Sequence, residues 1–259
     1  MVAFENDVLR VFQTKGDLMS EELLRRHQAV WERKPILRYL YTGWYREIVS
    51  WLRPGRTLEI GGGTGNLKGF STDVYCTDVV RLPWLDAVAD GQRLPFAAKS
   101  LSNLVLFDTL HHIENVNLFF DEAVRILEAR GRIVIMDPYI SPCSWPIYHF
   151  LHPEPVDLKC NPLISRPPVQ SRQPFDANQA VATLIFERLF DQFTTRYPQL
   201  RKLYHRRLAF WAYPLSGGFD HPSLLPLSLL RPTLWLERTL QFLNRVCAFR
   251  ILVVLEKCQ

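Results

Sequence analysis

Apolar positions along the chain change their spacing twice. Up to about residue 54 they recur every three or four residues. Leu37, Leu40, Tyr41, Trp44, Ile48 and Trp51 make one such stripe, as expected for a helix with one buried face. Pro35 suits the first turn of that helix, and Pro54-Gly55 ends it. An earlier helix is expected to be capped by Ser20, with Glu21 and Glu22 where the helix dipole favours negative charge. Trp44 and Trp51 read as core residues.

From 56 to 138 short β-type runs alternate with turns. Thr57–Ile60, Val74–Thr77, Asp86–Ala89, Asn103–Phe107 and Arg132–Met136 read as strands. Asn103–Phe107 has the continuous apolar run of a strand covered on both faces. Leu118, Phe119, Ala123, Ile126 and Leu127 form a helical stripe between the last two. The alternation predicts an α/β architecture with a parallel sheet. Beyond 139 the pattern loosens. Pro- and aromatic-rich sequence runs to about 175, and a helix is expected over Asn178–Thr194. Strands are expected over Arg207–Tyr213 and Phe249–Leu255, with a helix over about Thr233–Arg245 between them.

Composition narrows the class. The 259 residues are 47% hydrophobic and 22% charged, which argues for a folded chain with a sizeable core. Met1–Arg10 lacks a basic start followed by an apolar core. The five Cys are an odd number without a CxxC pair, so a reduced, cytoplasmic protein is expected. No apolar run is long enough to span a bilayer. The stretch 224–236, broken by Pro226, Arg231 and Pro232, is a candidate peripheral membrane contact. A net charge of +5 is mildly basic. Its densest cluster, Arg196, Arg201, Lys202, His205, Arg206 and Arg207, reads as a solvated edge, and nucleic acid is not expected as a partner.

The chemistry concentrates after the first strand, in Glu59-Ile60-Gly61-Gly62-Gly63-Thr64-Gly65. Glycines allow positive φ and close approach of a ligand to the backbone. Asp78, ending the second strand, is placed to accept from a ribose diol. The expected site is thus a bare main-chain bend with carboxylates beside it. A dinucleotide fingerprint would need a third glycine or alanine at position 66, where this chain has Asn66. That disfavours a nicotinamide-dependent oxidoreductase, which stays as an alternative.

The stretch Thr57–Asp137 resembles the class I S-adenosylmethionine-dependent methyltransferase core of the type-11 (UbiE-like) kind. Glu59, Gly61, Gly63 and Gly65 match its first motif and Asp78 its ribose acid. Asp90-Gly91-Gln92-Arg93-Leu94-Pro95-Phe96 matches its adenine-flanking segment, and Leu110-His111-His112 the pair after the fourth strand. Arg125-Ile126-Leu127 and Gly131 precede the fifth strand as in the family. Two departures stand out. Ser102-Asn103 replaces the usual Phe-Asp, and little room remains for helices after the first and second strands.

The resemblance implies a Rossmann-like, doubly wound, mostly parallel seven-stranded sheet with helices on both faces. It divides the chain into a helical N-terminal extension (1–54) and a methyltransferase domain (55–259). Within the latter lie core motifs (57–137), a substrate-shaping insertion (139–205) and the last strands (206–259). It also implies S-adenosyl-L-methionine as cofactor, held by Glu59, Gly61, Gly62, Gly63, Gly65, Asp78, Asp90, Gly91 and Phe107. Methyl transfer is expected to an O or N of a small-molecule or lipid-linked acceptor. His111, His112, Asp137 and Tyr139 are the candidate catalytic residues. His149, His152, Glu154 and Asp157 form a polar group whose spacing fits no familiar zinc pattern, so no metal is expected. A non-catalytic cofactor-binding or membrane-surface scaffold is a further alternative.

Overall fold

A computed structural model describes residues 15–165, 173 and 175–258. One seven-stranded sheet organises them, in the order β3-β2-β1-β4-β5-β7-β6. Its strands are β1 (Thr57–Ile60), β2 (Val74–Asp78), β3 (Ala87–Val88), β4 (Leu101–Phe107), β5 (Leu127–Pro138), β6 (Leu200–Leu208) and β7 (Arg250–Lys257). β1 to β5 pair in parallel, and β7 runs antiparallel to both β5 and β6. The chain order reverses direction between β1 and β4, so the carboxyl ends of these two strands open a crevice where ligands collect in such sheets.

Strand alternation divides the core. Leu104 and Leu106 of β4, with Ile133 and Ile135 of β5, face helix α3 (Val116–Ile126) and residues 181–193. Val105, Phe107, Val134, Met136, Leu252 and Val254 face the other way, against α2 (Pro35–Ser50). Helix α2 presents Leu37, Leu40, Tyr41, Trp44 and Ile48 to that face, as the stripe predicts.

The shortened crossovers are confirmed and have a structural counterpart. Only a 3₁₀ turn, Asn66–Gly69, follows β1, and no helix lies between β2 and β3. Helices α1 (Lys15–Arg33) and α2 cover what those crossovers leave bare. Leu24 of α1 packs on Val80 and Leu82, and Tyr45 of α2 stacks on Phe70. Asn103 also acquires a role. Its amide accepts from Arg53 N (2.9 Å) and donates to Arg53 O (2.8 Å) and Thr57 Oγ1 (3.0 Å), tying the entry of β1 to β4.

Two late elements differ from expectation. The strand expected over Arg207–Tyr213 occupies Leu200–Leu208, and the chain leaves the sheet at Ala209, whose φ is 61°. Charged residues on an edge strand had masked its period. The helix expected from Thr233 starts at Leu227 and runs through Pro232 to Thr239 (α6). Pro232 leaves a carbonyl on exposed Ser228 without its helical donor, which solvent can serve. Upstream of both, α4 (Ser144–Leu151) follows β5 and α5 (Phe190–Arg196) precedes β6.

Candidate active site

The bend after β1 has the expected backbone. Gly61, Gly63 and Gly65 have φ of 67°, 44° and 74°, a region that L side chains rarely adopt. A Cβ at Gly61 would fall 2.4 Å from the Thr109 methyl. Beneath the bend, Glu59 is buried and accepts from Cys76 Sγ (2.8 Å). Burial raises its pKa to about 7 against the opposing pull of that hydrogen bond. Asp78 accepts from Gly63 N (3.0 Å) and Val80 N (3.1 Å). Each carboxylate oxygen keeps lone-pair capacity for a further donor such as a ribose hydroxyl. Asp90 is exposed and accepts from Gln92 N (2.9 Å). Gly91 is buried, and its Cβ would meet Ile60 and Phe119. Phe107 lies in the core against Tyr41 and Tyr45.

The bend is not bare, contrary to expectation. Leu24 of α1 lies 3.3 Å from where a Gly63 Cβ would sit, and Trp84 lies 3.1 Å from that of Gly65. The Trp84 indole donates to Gly63 O (2.8 Å), and Gln28 of α1 donates to Thr64 O (3.0 Å). The cause is the missing second crossover: the loop after β2 folds inward and meets α1. The donor set still fits S-adenosylmethionine in kind, with positive-φ glycines and an acid on the second strand, while the N–H groups of Gly62, Gly63 and Gly65 are already bonded to Thr77 O, Asp78 and Gly62 O.

At the carboxyl end of β4, Thr109 Oγ1 donates to Gly61 O (3.3 Å). A 3₁₀ turn then delivers His111 and His112 beside it, their rings 4.2 Å apart. His111 Nδ1 meets Asp137 Oδ1 at 2.9 Å, and its Nε2 lies 3.3 Å from Glu154. Both His111 and Asp137 are buried. Burial alone would lower the His111 pKa, but the carboxylates of Asp137 and Glu154 outweigh it and raise the value to about 10. Burial likewise pushes Glu154 up, and His111 overrides this, bringing it down to about 2. His112 Nε2 lies 3.7 Å from Glu154. Burial and the neighbouring His111 cation lower the His112 pKa to about 4. The carboxyl groups of Asp137 and Glu154 on either side thus favour a proton on His111, burial pushes the Asp137 pKa up against the pull of His111, and His112 beside them is held toward its neutral form.

Glu154 and Gln179 join this centre from the insertion. The Gln179 amide donates to Glu154, and Asn178 N donates to the His111 carbonyl (2.9 Å). His152 Nδ1 stands 3.9 Å from Glu154. The polar group read from the sequence thus divides. His152 and Glu154 reach the centre, His149 stacks on Trp145, and Asp157 accepts from Lys159 N. Glu154 stood in that group, whereas nothing local marked Gln179. Donor atoms of His111, His112 and Glu154 lie within 4.8 Å of one another, a spacing that suits a cation. The proton on His111 already balances the carboxylates there. Tyr139 is turned elsewhere: its hydroxyl faces the Arg245 carbonyl at 3.5 Å, and Arg207 lies over its ring.

The basic cluster is largely neutralised. Glu187 binds His205 and Arg207, Glu256 binds Arg201, and Glu47 binds Arg206. A further pair, Asp108 and Arg250, joins the carboxyl end of β4 to the start of β7.

Residues 58–135 match the family model described as a methyltransferase domain. Among solved structures, an Archaeoglobus fulgidus S-adenosylmethionine-dependent methyltransferase superposes with a TM-score of 0.53 at 13% identity, over 85% of this chain and 94% of its own. A Thermotoga maritima S-adenosylmethionine-dependent methyltransferase gives 0.52 at 14%, over 92% and 97%. A Haloferax volcanii chain, from a complex with the Trm112 methyltransferase activator, gives 0.53 at 10%, over 95% and 99%. No curated protein matches in sequence. At these identities the structures speak for the fold, and the family model speaks for the class. Together they make residues 58–135 a methyltransferase domain, set in a chain with the fold of S-adenosylmethionine-dependent methyltransferases.

Proposed function

We propose that this enzyme transfers the methyl group to an O–H or N–H of a small-molecule or lipid-linked acceptor, with His112 as general base. The observation that carries this reading is the His112 ring, its Nε2 3.7 Å from Glu154, three residues beyond the Thr109 that bonds Gly61 O. Bound S-adenosylmethionine supplies an activated methyl group. The backbone of Gly61–Gly65 and the Asp78 carboxylate hold the donor, with Asp90 and Gly91 at its adenine end. Glu59 stays beneath the bend and fixes its shape. Positioning two reactants in line accounts for much of the acceleration in such a transfer.

His112 Nε2 takes the acceptor proton as the new bond forms. Glu154 then faces an imidazolium and stabilises it. His111 holds Glu154 in place and is itself held by Asp137, so Asp137 and His111 are positioning residues. Entry of the donor requires Leu24 and Trp84 to withdraw from the bend. Tyr139 and Phe107 have no part in the transfer.

Isothermal titration with S-adenosylhomocysteine tests the cofactor half, and Asp78→Ala is expected to weaken that binding at least tenfold. Labelled-methyl transfer to hydroxyl and amine acceptors tests the rest. His112→Ala is expected to lower kcat by roughly 10²–10⁴-fold while S-adenosylhomocysteine affinity persists. An unchanged kcat would remove His112 from the role.

A further inference from the structure

We infer that α6, the turns after it and the end of α4 form a docking surface for a bilayer carrying anionic lipids. Large apolar side chains stand in solvent along this segment, Trp235 67% and Phe242 76% exposed. Positions seven apart share a helix flank. Leu229 and Leu236 therefore lie on one flank of α6 and Arg231 and Arg238 on the other, with Trp235 between them. Leu230, four residues before partly buried Leu234, faces the core instead. The helix thus carries two apolar faces: one packs on the protein, and the other lies open with arginines along its edge.

Charge identifies the occupant. Arg231, Arg238 and Arg245 are all exposed. Glu237, the sole acid from Leu224 to Val246, is turned inward, its carboxylate accepting from Ala212 N (2.6 Å) and Phe210 N (3.3 Å). The outward side is therefore apolar and cationic without a compensating acid. A Trp- and Leu-bearing face edged by arginine is what an interfacial helix presents to acyl chains and lipid phosphates. A second copy of the same face would place cation against cation.

The surface continues toward the reaction centre. Cys143 N, just before α4, donates to Val246 O (3.0 Å), so the two segments abut. Helix α4 ends in Phe150 and Leu151, 70% and 68% exposed. Three residues beyond Leu151 stands Glu154. A protein resting on this face would bring the His112–Glu154 pair near the membrane surface, which suits an acceptor carried on a lipid. That last step rests on the function proposed above, whereas the docking itself does not.

Flotation with vesicles of phosphatidylcholine, with and without phosphatidylglycerol, tests the docking. The protein is expected to float only with the anionic vesicles and to dissociate as salt rises. Arg231→Gln/Arg238→Gln/Arg245→Gln is expected to lower partitioning roughly 100-fold at low salt. Trp235→Ala/Phe242→Ala is expected to lower it about tenfold or more. Titration with S-adenosylhomocysteine checks that both variants remain folded, and because the vesicle readout involves no methyl transfer, it stands or falls apart from the chemistry. No flotation at any anionic content, or variants that float like the parent, would overturn the inference. So would a dimer in sedimentation velocity that Trp235→Ala/Phe242→Ala disperses in a protein that ignores lipid.

Discussion

Arg250, at the start of β7, places Nη2 2.8 Å from Oδ2 of Asp108, at the end of β4. The guanidinium is buried, lies 4.5 Å from the Trp44 ring centre and 4.6 Å from that of Tyr213, and also donates to the Tyr41 and Tyr213 hydroxyls. It joins α2 to the two strands that flank β5. Asp108 itself sits at φ 55°, a strained setting for a non-glycine residue. Arg250→Leu would leave Asp108 without its partner. Loss of one partner of a buried pair costs about 3–5 kcal/mol, and the part-exposure of Asp108 puts this case at the lower end. Urea denaturation measures it, and a loss below about 1 kcal/mol would refute the assigned role.

The His111–Glu154 ion pair makes stability depend on pH from both sides. His111 has a folded pKa of about 10 against an ordinary 6.5. Its contribution is complete below pH 6.5 and disappears as pH climbs toward 10. Glu154 has a folded pKa of about 2 against 4.5. Its contribution is complete above pH 4.5 and disappears on acidification toward 2. The difference in Tm between the parent and His111→Gln is expected to peak between pH 4.5 and 6.5 and to shrink on either side. A difference that stays flat from about pH 2 to about pH 10 would contradict the pairing.

Glu59 has the opposite sign. Burial lifts its pKa from 4.5 to about 7, so ionising it in the folded protein opposes stability. That penalty is absent below pH 4.5 and grows until pH exceeds 7, where a shift of this size is worth on the order of 3 kcal/mol. Glu59→Gln keeps the shape and cannot ionise. Its Tm is expected to match the parent at low pH and to exceed it at pH 8 in the absence of cofactor.

The pH profile of kcat/KM reports the base. Because burial and the His111 cation hold His112 near 4, the acid limb is expected to fall with an apparent pKa near that value. A limb centred at the ordinary histidine value of 6.5 would move the role to another group.

Leu24 covers the glycine bend from α1. Leu24→Ala is expected to cost about 2 kcal/mol of stability and to quicken S-adenosylhomocysteine association in stopped-flow measurements. An unchanged association rate would show that donor entry does not pass beneath α1.

How much of this was legible in the sequence depended on distance along the chain. Gly61–Gly65, Asp78 and the His111–His112 pair carry their own signal, because a turn or strand end constrains its immediate neighbours. Strands β1 to β5 were readable for the same reason. The partner of the histidines was not, because Glu154 and Gln179 arrive through an insertion that folds back by way of Asn178 and His111. Strand β6 was misplaced because Arg201 and Arg206 look like surface until Glu256 and Glu47 are brought to them, and Lys202 until it lies over the Phe190 ring. The roof over the bend comes from a short connection between β2 and β3. A short loop after β2 predicts a missing helix, but not that Leu24, more than fifty residues earlier, takes the vacated space.

Helix α2 covers the middle of one sheet face, against β2, β4, β5 and β7, although it precedes every residue of the family match. A fragment trimmed to residues 55–259 would keep the glycine bend, the acids and both histidines. It would also lay Val105, Phe107, Val134, Met136, Leu252 and Val254 open to water. Such a fragment would emerge from the ribosome insoluble, and a laboratory that cloned it by the motif boundaries would mistake a missing wall for a dead enzyme.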